Sequence, residues 1–149
     1  MGAEPIEEKH LKGNLTMSTT PYLIFSGNSE AALEHYRDAL GGELEIARYS
    51  SAPDGSPVEP EWSDKVMHGS LRSPLGNVSA MDAPPDRAGT PGDNFAIGIR
   101  TEDEDQAAAT FSKLARGGTV LMPFEKTFFA SKFGMCADKF GIKWLVQVG

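Results

Sequence analysis

Two side chains in this sequence stand where they could do acid–base chemistry, His68 and Glu125. His68 lies in Asp64–Leu71 (DKVMHGSL), where alternation puts Met67 and Leu71 on one face and turns His68 to the other. An imidazole there can act as base, metal ligand or hydrogen-bond donor. The competing reading is a histidine satisfied by a neighbouring strand residue. Glu125 falls in the stretch Pro123–Phe133, read as a loop, between Phe124 and Phe128-Phe129. A carboxylate crowded by aromatic rings has a raised pKa and can serve as acid or base. Solvated and paired with Lys126 or Lys132, it would do neither. Together, His68 and Glu125 could form a base with its orienting group, or two ligands of an atypical metal site, although two donors alone hold a metal poorly. Trp62, Phe128, Phe129 and Trp144 could line a pocket for a flat or apolar small molecule. Trp144, inside the last strand, equally fits the core.

The remaining candidates are weaker. His35 sits beside Glu34 and Arg37 and reads as a solvated residue on the outer face of a helix. Cys136, among apolar neighbours with no histidine beside it, reads as an inert buried thiol. The run Glu102-Asp103-Glu104-Asp105 opens a helix, where negative charge suits the dipole. It lacks the spread donors and turn glycine of a calcium loop.

The elements that must position these residues occur twice. Pro21–Gly42 (PYLIFSGNSEAALEHYRDALGG) reads as a strand at Tyr22–Phe25, a turn, and a helix closed by Gly41-Gly42. Ser26 or Ser29 can cap that helix, and Ala32, Leu33, Tyr36, Ala39 and Leu40 recur at helical spacing. Asn94–Gly118 (NFAIGIRTEDEDQAAATFSKLARGG) repeats the plan, with Leu33 falling on Ala108, Tyr36 on Phe111, Leu40 on Ala115 and Gly42 on Gly117. Further strands follow each helix: Glu43–Tyr49, Asp64–Leu71 and Val78–Met81 in the first half, then Thr119–Met122, Gly134–Ala137 and Lys143–Val148 in the second. The turns Ser73–Asn77 and Asp138–Ile142 correspond. Ser50–Ser63, with Pro53, Gly55, Pro57 and Pro60, is a loop holding the extra residues of the first half. Each half is then βαβββ. The expected organisation is an N-terminal extension over residues 1–19, which includes His10, and one α+β domain over 20–147. Its modules span about 20–82 and 94–147, joined by the linker 83–93.

Composition sets outer limits. The chain has 149 residues, 40% hydrophobic and 23% charged, which is ordinary for a single globular domain. A net charge of −7 and no basic stripe argue against a nucleic-acid partner. No apolar run reaches membrane-spanning length and no export signal opens the chain. One cysteine excludes an internal disulfide, and a cytoplasmic setting is expected.

The duplicated βαβββ unit, with PYLIFSGNSEAALEHYRDALGGE, DKVMHGSL, PFEKTFFASKFGM (Pro123–Met135) and DKFGIKWLV (Asp138–Val146), resembles the vicinal oxygen chelate superfamily (the glyoxalase, bleomycin-resistance and extradiol-dioxygenase fold), and more narrowly its PhnB-like branch. The resemblance implies a cupped mixed sheet with helices outside and a homodimer whose cups complete each other's cleft. It also implies one divalent metal held by residues of the first and last strands of each module. Those positions fall near Pro21 and Ala80 in the first module and near Asn94 or Ala96 and Leu145 in the second, none an imidazole, carboxylate or thiolate donor. A methyltransferase label carried by the branch finds no glycine-rich strand-to-helix loop here. Three readings follow: a metal-independent small-molecule binder or enzyme with an aromatic-lined cleft and no confidently assigned cofactor; a metal-dependent lyase, isomerase or dioxygenase using His68 and Glu125; and a sequestering protein of the bleomycin-resistance type.

Overall fold

Aromatic and branched residues, a turn and an amphipathic helix open each half of the chain. The computed structural model describes residues 17–51 and 60–149. His10 and most of the expected N-terminal extension, and the middle of the Ser50–Ser63 loop, lie outside the described residues. The first half runs β1 (Tyr22–Phe25), α1 (Ser29–Leu40), β2 (Glu43–Arg48), β3 (Val66–Ser73) and β4 (Gly76–Asp82). A short helix, α2 (Pro85–Ala88), lies in the linker. The second half runs β5 (Ile97–Thr101), α3 (Glu104–Ala115), β6 (Thr119–Glu125), β7 (Lys132–Ala137) and β8 (Lys143–Val148). The strand orders β1-β4-β3-β2 and β5-β8-β7-β6 match, and in each sheet the first strand pairs parallel with the last. The fold is α+β, two tandem βαβββ modules.

On α1 the apolar residues that share one face by spacing, Ala32, Leu33, Tyr36, Ala39 and Leu40, are all buried. Its cap is not the expected one. Asn28 occupies the N-cap position without a side-chain bond, and neither Ser26 nor Ser29 supplies one. Asp82, at the end of β4 and 1% exposed, reaches the helix start instead. Its Oδ1 accepts the N–H groups of Gly27 and Ser29, both at 2.9 Å, and its Oδ2 accepts that of Val66 at 3.0 Å. With the carboxylate already there, Ser29 Oγ is buried without a partner. In α3 the cap is local: Asp103 accepts from the N–H of Gln106 at 3.1 Å.

The glycines after the helices correct the repeat register. Gly41 and Gly117 both have φ 79°, so each chain reversal needs a residue without a Cβ penalty. A Cβ on Gly42 would overlap the carbonyl oxygen of Arg72, and one on Gly118 that of Ala137. Gly42 therefore corresponds to Gly118, not Gly117, and Arg116 is the inserted residue. The faces also differ: Ala108, matched to buried Leu33, is exposed.

The two helices pack against each other as well as on their own sheets, so the modules share one core. Tyr36 sits at the junction, its ring 5.1 Å from that of Trp144 and its hydroxyl donating to Asp138 Oδ2 at 2.6 Å. Asp138 also accepts from Trp144 Nε1 at 2.9 Å and from the N–H groups of Phe140 and Ile142. Burial, with Asp138 alongside, raises the Tyr36 hydroxyl far above its ordinary value, so it remains a donor. His35 is not solvated as expected. It is half-buried at this seam, with Nε2 3.3 Å from the Leu114 carbonyl and its ring beside Phe140. Cys136 is buried, and burial pushes its thiol up to about 11, which keeps it protonated and unreactive.

Candidate functional site

Among the described residues, each sheet has one face covered by helix and one face bare. Leu23, Leu71 and Ala80 lie under α1, and Cys136, Trp144 and Val146 under α3. Side chains alternate along a strand, so the residues between these point the other way. On the first sheet the pairing register then sets three rows across the bare face: Ile24–Met81–His68–Ala47, Tyr22–Ser79–Ser70–Glu45, and Asn77–Arg72–Glu43. On the second sheet the rows are Gly98–Leu145–Met135–Met122, Arg100–Gln147–Phe133–Glu125, and Lys143–Ala137–Thr119. The first face is mostly polar. The second carries thioether, aliphatic and aromatic groups at its centre.

His68 lies on the bare face of the first sheet, exposed. Its Nδ1 is 2.8 Å from the Tyr22 hydroxyl, and the two rings are 5.6 Å apart. Burial, with Tyr49 nearby, raises the Tyr22 hydroxyl above its ordinary value, so it stays protonated beside the imidazole. When that hydroxyl donates to Nδ1, the proton of the neutral ring sits on Nε2, which is left free to donate outward. A groove of about 380 Å³ runs along this face, lined by Glu45, Ile46, Ala47, His68, Ser70 and Arg72. Arg72 pairs with Glu45 at 3.2 Å, and both are well exposed. A roomier cleft, about 430 Å³, follows the free edge of β1 between the linker and the β7–β8 turn. Its walls are backbone and apolar side chains together with Tyr22, Ser26, Asn28, Thr90 and Lys143.

Glu125 ends β6, which runs past Met122, so it lies in a strand and not in a loop. It pairs in register with Phe133, is exposed, and makes no ion pair with Lys126 or Lys132. His68 and Glu125 are therefore on different sheets and do not meet within one chain. The four aromatic candidates divide likewise. Trp62 packs edge-on against Tyr49 in the first module, with ring centroids 6.3 Å apart. Phe128 and Phe129 stand at the tip of the β6–β7 hairpin, Phe128 fully exposed and Phe129 edge-on to Phe133 at 5.0 Å. Trp144 is not a cleft residue. It is 0% exposed, on the helix side of β8, with its indole N–H committed to Asp138. Tyr22, Ser70, Ser79 and Arg72 were missed as site residues. The two-residue alternation that turned His68 outward assigns Ser70 and Arg72 the same side, but nothing in the sequence pairs Tyr22 with His68 across 46 residues.

A family model described as the Glyoxalase/Bleomycin resistance protein/Dioxygenase superfamily matches residues 18–146. The chain belongs to this superfamily. Protein YjdN of Escherichia coli is 30% identical over 143 residues, covering 89% of this chain and 95% of that protein. Protein PA1353 from Pseudomonas aeruginosa superposes with a TM-score of 0.79 at 34% identity, covering 89% of this chain and 98% of the other. A PhnB protein from Bacillus cereus, described as a putative 3-demethylubiquinone-9 3-methyltransferase, gives 0.68 at 25% identity, with 89% and 100% covered.

In this glyoxalase-superfamily chain the donor set does not fit a metal at the strand positions the resemblance implies. The bare-face residues of the first and last strands are Tyr22, Ile24, Asn77, Ser79 and Met81 in one module and Gly98, Arg100, Lys143, Leu145 and Gln147 in the other. None is an imidazole, carboxylate or thiolate. Ala80, expected at one such position, faces the helix. Among the described residues no three His, Cys, Asp or Glu side chains converge, and no helix is long and apolar enough to cross a membrane.

Proposed function

We propose that this superfamily member is a cytoplasmic small-molecule-binding protein that works without the metal centre implied by the resemblance. Its cleft lies between the bare face of the first sheet and the bare face of the second sheet of a partner protomer. The observation that carries this reading is the Tyr22–His68 hydrogen bond, a built polar pair on a solvent-facing sheet surface that no helix covers. Two features support the homodimer. The first strands β1 and β5 are both sheet edges, and edge strands invite pairing. Beside them Tyr22, Ile24 and Phe95 are exposed at 45%, 50% and 54%. Across such a cleft His68 would face Glu125, Phe128, Phe129 and Phe133 of the other copy, which unites candidates that one chain keeps apart. His68 then holds the ligand and is the residue available for proton transfer.

Sedimentation and elemental analysis of the purified protein test this. A dimer with substoichiometric metal, whose metal content His68→Ala leaves unchanged, is the expected result. A monomer at working concentration, or stoichiometric metal lost in His68→Ala, would overturn it.

A further inference from the structure

The two bare faces are chemically unlike, and a ligand held between them must match both. The first sheet presents the hydrogen-bond donors Tyr22, His68, Ser70, Ser79 and Arg72 beside the carboxylates of Glu43 and Glu45. Ser79 sits between Tyr22 and Ser70 in one row and is only 7% exposed. The second sheet presents Met122, Met135, Leu145 and Phe133 at its centre, extended by Phe129 at 52% exposure, with Arg100, Gln147 and Glu125 in the row of Phe133. Thioether and aromatic side chains accommodate flat, polarizable apolar surfaces. On the donor face Arg72 is already engaged by Glu45, so the unspent donors are the imidazole and the hydroxyls.

Given the cleft proposed above, we infer that the ligand is an amphipathic small molecule: a flat apolar body seated on Met122, Met135, Leu145 and Phe133, with an oxygen hydrogen-bond acceptor, a carbonyl or carboxylate, read by His68 in the orientation Tyr22 holds. Once a cleft closes over it, an unpaired imidazole N–H is costly, so His68 disfavours a body with no acceptor, or with a cationic donor in its place. Tyr22 is a positioning residue in this arrangement, because it touches the ring and not the head of the ligand.

Four probes sharing one body separate the terms by calorimetry on the full-length dimer: naphthalene, 2-acetonaphthone, 2-naphthoate and 2-naphthylmethylammonium. The expected result is that the ketone or the carboxylate binds about tenfold more tightly than naphthalene or the ammonium. His68→Leu should erase that preference. Tyr22→Phe should reduce the preference without abolishing it. Met135→Ala should weaken all four alike. Both His68 and Tyr22 are exposed enough for their variants to fold, which circular dichroism checks. Equal binding of all four, preference for the ammonium, or an acceptor preference that survives His68→Leu overturns the inference and leaves the cleft standing. Failure of every probe to bind a confirmed dimer removes the cleft reading, and the ligand class falls with it.

Discussion

The two modules share strand order, helix position and the glycine pair after each helix, yet they solve the same local problems with different means. The start of α1 is held by Asp82, a buried carboxylate from β4 that gathers three backbone N–H groups. The start of α3 is held by Asp103, an exposed residue of its own turn. The edge strands diverge as well: β2 reads ELEIAR, while β6 reads TVLMPFE with Val120, Leu121 and Met122 each more than 40% exposed. A repeated backbone thus preserves what the main chain requires. Faces with no intramolecular partner are free to specialise, one toward hydrogen-bond donors and one toward apolar contact.

The caps offer the largest contrast. Asp82→Ala strands three N–H groups, two of them buried, and should cost about 3–5 kcal/mol, whereas Asp103→Ala should cost about 1 kcal/mol. Urea unfolding of both variants measures this, and equal losses would dissolve the distinction. The second glycine after each helix should be costly to replace in both modules, Gly42 the more so because its φ of 101° also disfavours a side chain. Gly42→Ala and Gly118→Ala each drive a Cβ into a backbone carbonyl, and each should lose about 3 kcal/mol or more in the same assay. A costly Gly42 with a tolerant Gly118 would break the equivalence. The junction between modules is a smaller term: Tyr36→Phe removes the bond to Asp138 and should lower stability by about 1–2 kcal/mol with a single unfolding transition retained. Splitting into two transitions would show modules less coupled than their shared core implies.

The smallest effect belongs to Glu30 and Arg48, which make a two-pronged ion pair at 2.9 Å in the first module. The hydrogen bond from Arg48 holds the Glu30 carboxyl below its ordinary 4.5. A depressed folded-state pKa stabilises the protein fully above about pH 4.5, and the gain disappears as pH falls through the lower folded value. Both side chains are more than a third exposed, so the pair contributes less than about 1 kcal/mol. Melting temperatures of wild type and Glu30→Gln should differ slightly at pH 7 and converge at the acid end. A gap that widens toward acid would contradict the assignment.

The duplication, both long helices with their buried faces, and the outward turn of His68 were legible because each rests on short-range periodicity and on turn residues that report backbone geometry locally. Glu125 reads as a loop residue because Pro123 looks like a strand breaker; the proline is tolerated on β6, an edge strand whose pairing register shifts between Met122 and Glu125. Trp144 remained ambiguous for a related reason: an aromatic in a strand fits either face until the sheet's register with the helix is known. Contacts spanning dozens of residues came only from the folded chain: Asp82 reaching the start of α1, Tyr36 bonding Asp138, and Tyr22 holding His68. By itself the sequence determined the repeat and the alternation of faces, since both are local regularities. Tertiary structure alone decided which faces stay bare and which polar groups meet on them, because that depends on how the two modules pack, and packing is written in no single stretch.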